Sequence, residues 1–153
     1  MSDNKLISFI LTVYNKEPFI NQCLKSLNEL NKFKEIKNKF EIIAINDCSS
    51  DGSLKKLKFW ETKIPNLKLI NNKKNMGVSK SRNIGIINSK SKYLFFIDSD
   101  DFIISKNFKK IISNKKIFKD DLLIFYNTIL TNKSLVTPKI KRTRSISIFN
   151  SIV

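Results

Sequence analysis

The sequence predicts an α/β domain built on an open, mainly parallel, twisted sheet with helices on both faces. Three observations carry this. Short apolar runs alternate with segments of helical periodicity. Two of the runs are nearly continuous hydrophobic stretches, as parallel strands covered on both sides require. Polar, aspartate-rich segments follow the carboxyl ends of the runs.

The strands are expected at Leu6–Val13, Phe40–Asn46, Leu67–Asn71, Tyr93–Asp98 and Leu122–Asn127. Between them, Pro18–Leu30 reads as a helix with Pro in its first turn and a stripe of Ile20, Cys23, Leu24, Leu27 and Leu30. Ser53–Ile64 carries Leu54, Leu57, Trp60 and Ile64 at helical spacing. Val78–Asn88 is the third helix. Ser105–Lys116 is the fourth, with Ser105 as N-cap and Phe108, Ile111 and Ile112 inward. After Asn127 come a weak strand, a Thr-Pro turn and a basic stretch, with no capping signal before Val153. The organisation expected is a main unit over 1–127 and, over 128–153, a tail or the start of a further region of a larger domain.

Composition narrows the chemistry. The 153 residues include no His, which excludes Ser-His-Asp triads, Cys-His pairs, imidazole acid–base catalysis and His-based metal sites. Cys23 and Cys48 form no C-x-x-C, so a reduced, cytoplasmic setting is expected. Leu6–Val13 is too short to span a bilayer. The formal charge is +16, yet only three of the 29 basic residues are Arg (Arg82, Arg142 and Arg144). A nucleic-acid binder would use more of the planar guanidinium fork, so no nucleic-acid partner is expected. The A/T-rich codons shared by Lys, Ile, Asn and Phe account for the basicity most simply, and peripheral attraction to anionic lipid headgroups comes next, ahead of nucleic acid.

Five of the eight aspartates fall in two segments, Asn46-Asp47-Cys48-Ser49-Ser50-Asp51-Gly52-Ser53 and Asp98-Ser99-Asp100-Asp101. Both follow predicted strands, as does Tyr14-Asn15. In open α/β sheets ligands bind beyond the carboxyl ends of the strands, so three polar clusters on one rim predict a site. Three carboxylates within four residues repel one another unless compensated. Two compensations stay open: Lys side chains, or a divalent metal held by Asp98 and Asp100. With no His and oxygen donors only, that metal is Mg²⁺ or Mn²⁺ rather than zinc.

Four motifs in order, Thr12-Val13-Tyr14-Asn15, Asn46-Asp47 with Ser49–Ser53, Asn75-Met76-Gly77-Val78-Ser79-Lys80-Ser81-Arg82-Asn83, and Asp98-Ser99-Asp100-Asp101, resemble the family 2 glycosyltransferases of GT-A, Rossmann-like fold. The resemblance covers about residues 6–127. It implies inverting transfer of a sugar from a nucleotide donor, with a divalent metal, in surface glycan synthesis. Transferred position by position, it implies a nucleotide-sugar site of Thr12, Tyr14, Asn15, Glu17, Asp47, Arg82, Asp98 and Ser99. Tyr14 would stack on the base, Asp47 accept the uracil imide, Arg82 lie near the base and diphosphate, and Asp100 with Asp98 hold the metal. Asn46 stands where the family often has Asp. The family's general base is an Asp beyond the DxD; only Asp120 and Asp121 follow here, at the start of the fifth strand. The expectation is therefore a UDP-sugar-binding half that is inactive alone, with Mn²⁺ or Mg²⁺ as cofactor and a saccharide or lipid-linked acceptor. Two readings compete: a haloacid-dehalogenase-like phosphatase, whose D-x-D normally follows the first strand, and a non-catalytic nucleotide-binding module.

Overall fold

The computed structural model describes residues 5–113, 129–131 and 134–136. The chain divides into two compact units, Met1–Ser113 and Asn114–Val153. The first carries β1 (Ile7–Val13), α1 (Glu17–Asn28) with a 3-10 turn over Glu29–Lys32, β2 (Phe40–Asn46), α2 (Ser53–Glu61), β3 (Leu67–Asn71), α3 (Val78–Asn88), β4 (Tyr93–Asp98) and α4 (Ser105–Ser113). The second contains an antiparallel hairpin of β5 (Ile129–Thr131) and β6 (Ser134–Val136). The strand expected at Leu122–Asn127, and with it Asp120 and Asp121, lies outside the described residues.

The four strands of the first unit pair in parallel in the order β3-β2-β1-β4. The central strand, β1, runs beside β2 from Ile7↔Phe40 to Val13↔Asn46 and beside β4 from Ile7↔Tyr93 to Thr12↔Asp98. The chain moves outward from β1 through β2 to β3, then returns to the other side of β1 as β4. Strand order reverses between β1 and β4, and at such a reversal the two adjoining connections leave in opposite directions and open a crevice.

Alternation along β1 decides which helix covers which face. Phe9 packs against Phe40, Phe95 and Phe108 at ring-centroid distances of 5.8, 5.4 and 5.1 Å, so α4 lies on that side through Phe108. Ile10, one residue on, clusters with Ile43, Ile45, Ile70 and Ile84, which places α3 on the opposite side. Both faces of β1 and β2 are thus covered, as nearly continuous apolar strands require, while Leu94 and Phe96 on one face of β4 stay exposed among the described residues. In α1 the expected stripe is buried at Ile20, Cys23, Leu24 and Leu27, and Leu30 completes it from the 3-10 turn. α2 stops at Glu61 rather than continuing to Ile64. Ile64 precedes Pro65, whose ring disfavours helical geometry in the residue before it.

Gly85 sets how closely α3 approaches the sheet. A methyl group there would overlap the Ile10 side chain and press on Ile45. Gly85→Ala is therefore expected to lower stability by about 1–3 kcal/mol despite the better helix propensity of Ala. Urea unfolding checks it; an unchanged or raised midpoint would show that α3 can lift away at no cost.

Candidate functional site at the carboxyl ends of β1, β2 and β4

Beyond Val13 the chain turns sharply. Asn15 takes a left-handed conformation (φ 51°), which Asn tolerates better than most residues because its short side chain bonds locally. Its Oδ1 accepts from the Ser50 N–H at 2.8 Å, while its own N–H donates to Ser49 Oγ at 3.1 Å. The next two amides are held in the same way: Lys16 N–H by Ser53 Oγ at 3.0 Å and Glu17 N–H by Asp51 Oδ2 at 3.0 Å. Asp51 also accepts from Ser53 N–H at 2.9 Å. Burial opposes its charge, but the bonds from Ser53 and Glu17 outweigh that and keep its pKa below the usual carboxylate value. The first two sequence motifs are thus stitched together, and the stitching leaves Tyr14 and Lys16 along the crevice.

Glu17 does not join them there. Its carboxylate accepts from the Gly52 N–H at 2.9 Å and lies 3.7 Å from Lys56 Nζ, beside the start of α2. Asn15 and Glu17 therefore brace the loops of the site, and the geometry brings neither side chain into the cleft.

The cleft itself has a volume of about 320 Å³. Thr12, Tyr14 and Lys16 line it from β1 and the turn after it, Asp47 from the end of β2, and Asp98, Ser99 and Asp100 from the end of β4. Asn75, Gly77, Val78 and Ser81 close it from the start of α3. Thr12 and Asp98 are register partners on one face of the sheet. Tyr14 and Val78 are both about half exposed and give the cleft its apolar surface.

Asp47 is only 3% exposed and acts as a hub. Oδ1 accepts from Asn72 Nδ2 at 2.8 Å and Met76 N–H at 2.9 Å, and Oδ2 accepts from Gly77 N–H at 2.8 Å. Burial works against its charge. The bonds from Asn72, Met76, Gly77 and Ser81 prevail, and its pKa is lowered. The carboxylate thereby caps α3, whose N-cap residue, Gly77, has no side chain, and a negative charge suits the positive end of the helix dipole. Gly77 has φ 84° and ψ 158°, a conformation that essentially only glycine adopts at low cost. Asn46 beside it pairs with Asn71 across β2 and β3 at 2.7 Å, and its own Oδ1 is buried without a partner among the described residues.

At the end of β4 each DxD carboxylate has a cation. Arg82 Nη2 donates to Asp98 Oδ1 at 2.9 Å, with its guanidinium 5.7 Å from the Phe96 ring centre. Lys16 Nζ donates to Asp100 Oδ2 at 2.7 Å. The Lys16 bond holds the Asp100 pKa below the usual value, and Asp100 in turn raises that of Lys16. Asp101, whose N–H closes a turn on the Asp98 carbonyl at 2.9 Å, moves the other way: burial and the charges of Asp98 and Asp100 raise its pKa. Beneath the turn, the Cys23 thiol is pushed up to about 12 by burial, with Asp101, Asp100 and Asp98 adding to it, so it is a core group rather than a nucleophile.

Among the described residues no three His, Cys, Asp or Glu side chains cluster as a ready-made metal site. Asp98 and Asp100 are nonetheless exposed, two residues apart, and each has one side-chain oxygen outside its ion pair. That donor set suits a hard cation completing its shell with ligand and water oxygens.

A family model, that of glycosyl transferase family 2, matches residues 8–141. The chain belongs to glycosyl transferase family 2. It is 35% identical over 132 residues to a poly(ribitol-phosphate) beta-glucosyltransferase of Bacillus spizizenii, covering 86% of this chain and 18% of that protein. The crystal structure of S. aureus TarS 1–349 in complex with UDP superimposes with a TM-score of 0.63 at 31% identity, over 71% of this chain and 31% of that one. The same protein in complex with UDP-GlcNAc gives a TM-score of 0.63 at 30% identity, with 71% and 30% covered. This chain spans between 12 and 40% of the length of the curated relatives it matches. Family membership and the GT-A-like parallel sheet remove the phosphatase alternative; the acidic motif follows β4, not β1.

Of the residues expected from the sequence, Thr12, Tyr14, Asp47, Asp98, Ser99 and Asp100 meet in the cleft, and Arg82 borders it through Asp98. The sequence reading missed Lys16 and Asn72. Lys16 is one lysine among many, and its partner lies 84 residues away. Asn72 sits in a polar run that resembles a solvated loop, yet it is 8% exposed and bonds both Asp47 and Ser81.

Proposed function

We propose that this chain is the donor-binding part of an inverting, metal-dependent glycosyltransferase that takes a UDP-sugar and serves a saccharide or lipid-linked acceptor in surface glycan synthesis. The observation that carries this is the convergence, in one cleft at the β1/β4 reversal, of an aromatic wall, a buried carboxylate and the DxD pair with its two cations. The UDP and UDP-GlcNAc bound by TarS, at 30–31% identity, support the choice of donor.

In this reading the uracil ring stacks on Tyr14 beside Thr12, where Val78 offers an opposing apolar surface. Asp47 accepts the imide N–H beside its existing donors, since an ionised carboxylate has about four acceptor positions. Its other role is to hold Met76 and Gly77 where they close the base slot. Arg82 and Lys16 face the diphosphate and offset the charge that grows on it as the sugar departs; preplaced cations act without reorganising at the moment of reaction. Mn²⁺ or Mg²⁺, held by Asp100 and Asp98, would add Lewis-acid charge at the same oxygens. Inversion also needs a carboxylate that takes the acceptor's proton on the opposite face of the sugar. The described carboxylates of the cleft, Asp47, Asp98 and Asp100, are all engaged, so we place that base outside the described residues. The excess of basic over acidic side chains favours peripheral contact with anionic lipid at a cytoplasmic membrane face.

Calorimetry tests the donor assignment. UDP is expected to bind the folded chain when Mn²⁺ is present, and other nucleoside diphosphates to bind less well. Absence of heat with UDP and Mn²⁺ in a folded sample would sink it.

A further inference from the structure

The ion pair between Lys16 and Asp100 bears on how the cleft handles charge. Lys16 Nζ lies 2.7 Å from Asp100 Oδ2, and both side chains are partly exposed, at 39 and 43%. Nothing buries this pair, and the Lys16 backbone is fixed independently by Ser53 Oγ. The ammonium can therefore leave Asp100 without disturbing the turn that carries it. Lys16 also lines the cleft beside Tyr14, within one side-chain swing of anything Asp100 binds. A divalent ion on Asp100 would sit a few ångströms from that ammonium, and like charges at this separation repel.

We propose that Lys16 is a tethered counter-ion that occupies Asp100 in place of a divalent metal and, once displaced, becomes a ligand of the donor's diphosphate. The proposal rests on the metal-binding role given to Asp100 above. It makes Lys16 a selective competitor: divalent metal alone has to displace it, whereas metal arriving with a nucleoside diphosphate gives the ammonium a new anionic partner. Metal and nucleotide then favour each other's binding, because each relieves the cost that Lys16 imposes on the other. Arg82 does not share this role, since it pairs with Asp98 and not with Asp100; each cation also lies 5.7 Å from an aromatic ring centre, Phe96 for Arg82 and Phe19 for Lys16.

The test is a titration of the 153-residue chain with Mn²⁺, read by the electron paramagnetic resonance of the free ion, with and without UDP. Lys16→Met is compared with the unaltered chain and with Lys68→Met, the same charge change at a lysine bonded to Asn88. Circular dichroism verifies folding. Lys16→Met is expected to bind Mn²⁺ about two- to fivefold more tightly without UDP, the scale set by an exposed ion pair. It should also bind UDP several-fold more weakly without metal and lose part of the metal–UDP coupling, while Lys68→Met changes none of these. Unchanged or weaker Mn²⁺ binding by Lys16→Met overturns the proposal, as does an equal gain in Lys68→Met, which would mark a general charge effect. If the unaltered chain and Lys16→Met both fail to bind Mn²⁺, the metal reading of Asp100 falls as well; if both bind it equally, only the Lys16 inference falls.

Discussion

Asp47→Asn is expected to destabilise the protein by about 2–4 kcal/mol, more than any other single change at the rim, and to reduce UDP binding with it. The carboxylate is buried, and the groups that bond it all donate to it: Asn72 Nδ2, Met76 N–H, Gly77 N–H and the Ser81 hydroxyl. An amide of the same shape replaces one acceptor oxygen with NH₂, so a donor faces a donor and a buried polar group goes unsatisfied. The negative charge at the start of α3 is lost as well. The effect is also pH-dependent. Because the folded-state pKa of Asp47 is depressed, its stabilisation is present in full above the ordinary carboxylate value of 3.8 and disappears as the pH falls through the lowered value. Urea midpoints of the two proteins should therefore lie far apart at neutral pH and converge in acid. A gap that stayed constant down to the acid limb would mean that the ionised carboxylate is not what holds the 72–77 segment.

Asp100→Asn has the opposite profile: little effect on the fold and a large one on the ligand. Its ion pair with Lys16 is exposed, and pairs of that kind contribute about 0–1 kcal/mol, so the metal-free melting temperature should barely move. The loss of an anionic oxygen from a hard-cation site should lower the Mn²⁺-dependent UDP affinity at least tenfold, since even residues one shell further out typically cost 10–100-fold. Metal-free UDP affinity should not fall, because Lys16 is then released from its carboxylate. Calorimetry with and without Mn²⁺ separates these quantities. An unchanged Mn²⁺-dependent affinity would remove Asp100 from the metal site; a large drop in melting temperature without metal would recast it as a structural residue.

Hydrophobic pattern located β2, β3, β4 and α3 at their observed bounds, and β1 to within one residue. Parallel strands between two helical layers must be apolar on both sides, and that requirement is written locally. The polar rim was legible for a related reason: apolar strands place Tyr14, Asp47 and the Asp98–Asp100 segment at or just beyond their ends. Glu17 shows where local reading stops. It follows Tyr14-Asn15 directly, yet the left-handed turn at Asn15 carries it to Gly52, where it braces α2.

What the sequence determined by itself is the α/β class, the order of its elements and the set of acidic and aromatic groups at the strand ends, because periodicity and chain order are properties of neighbouring residues. Tertiary structure alone decided which of those groups meet, and with what partner. The reversal between β1 and β4 sets Thr12 beside Asp98 and brings Lys16 to Asp100 across 84 positions. The pairing of β3 with β2 closes the 72–77 segment over Asp47 and so turns a rim carboxylate into a buried hub. Hydrogen bonds and ion pairs act over about 3 Å of space regardless of the length of chain between their ends, so no spacing in the sequence records them.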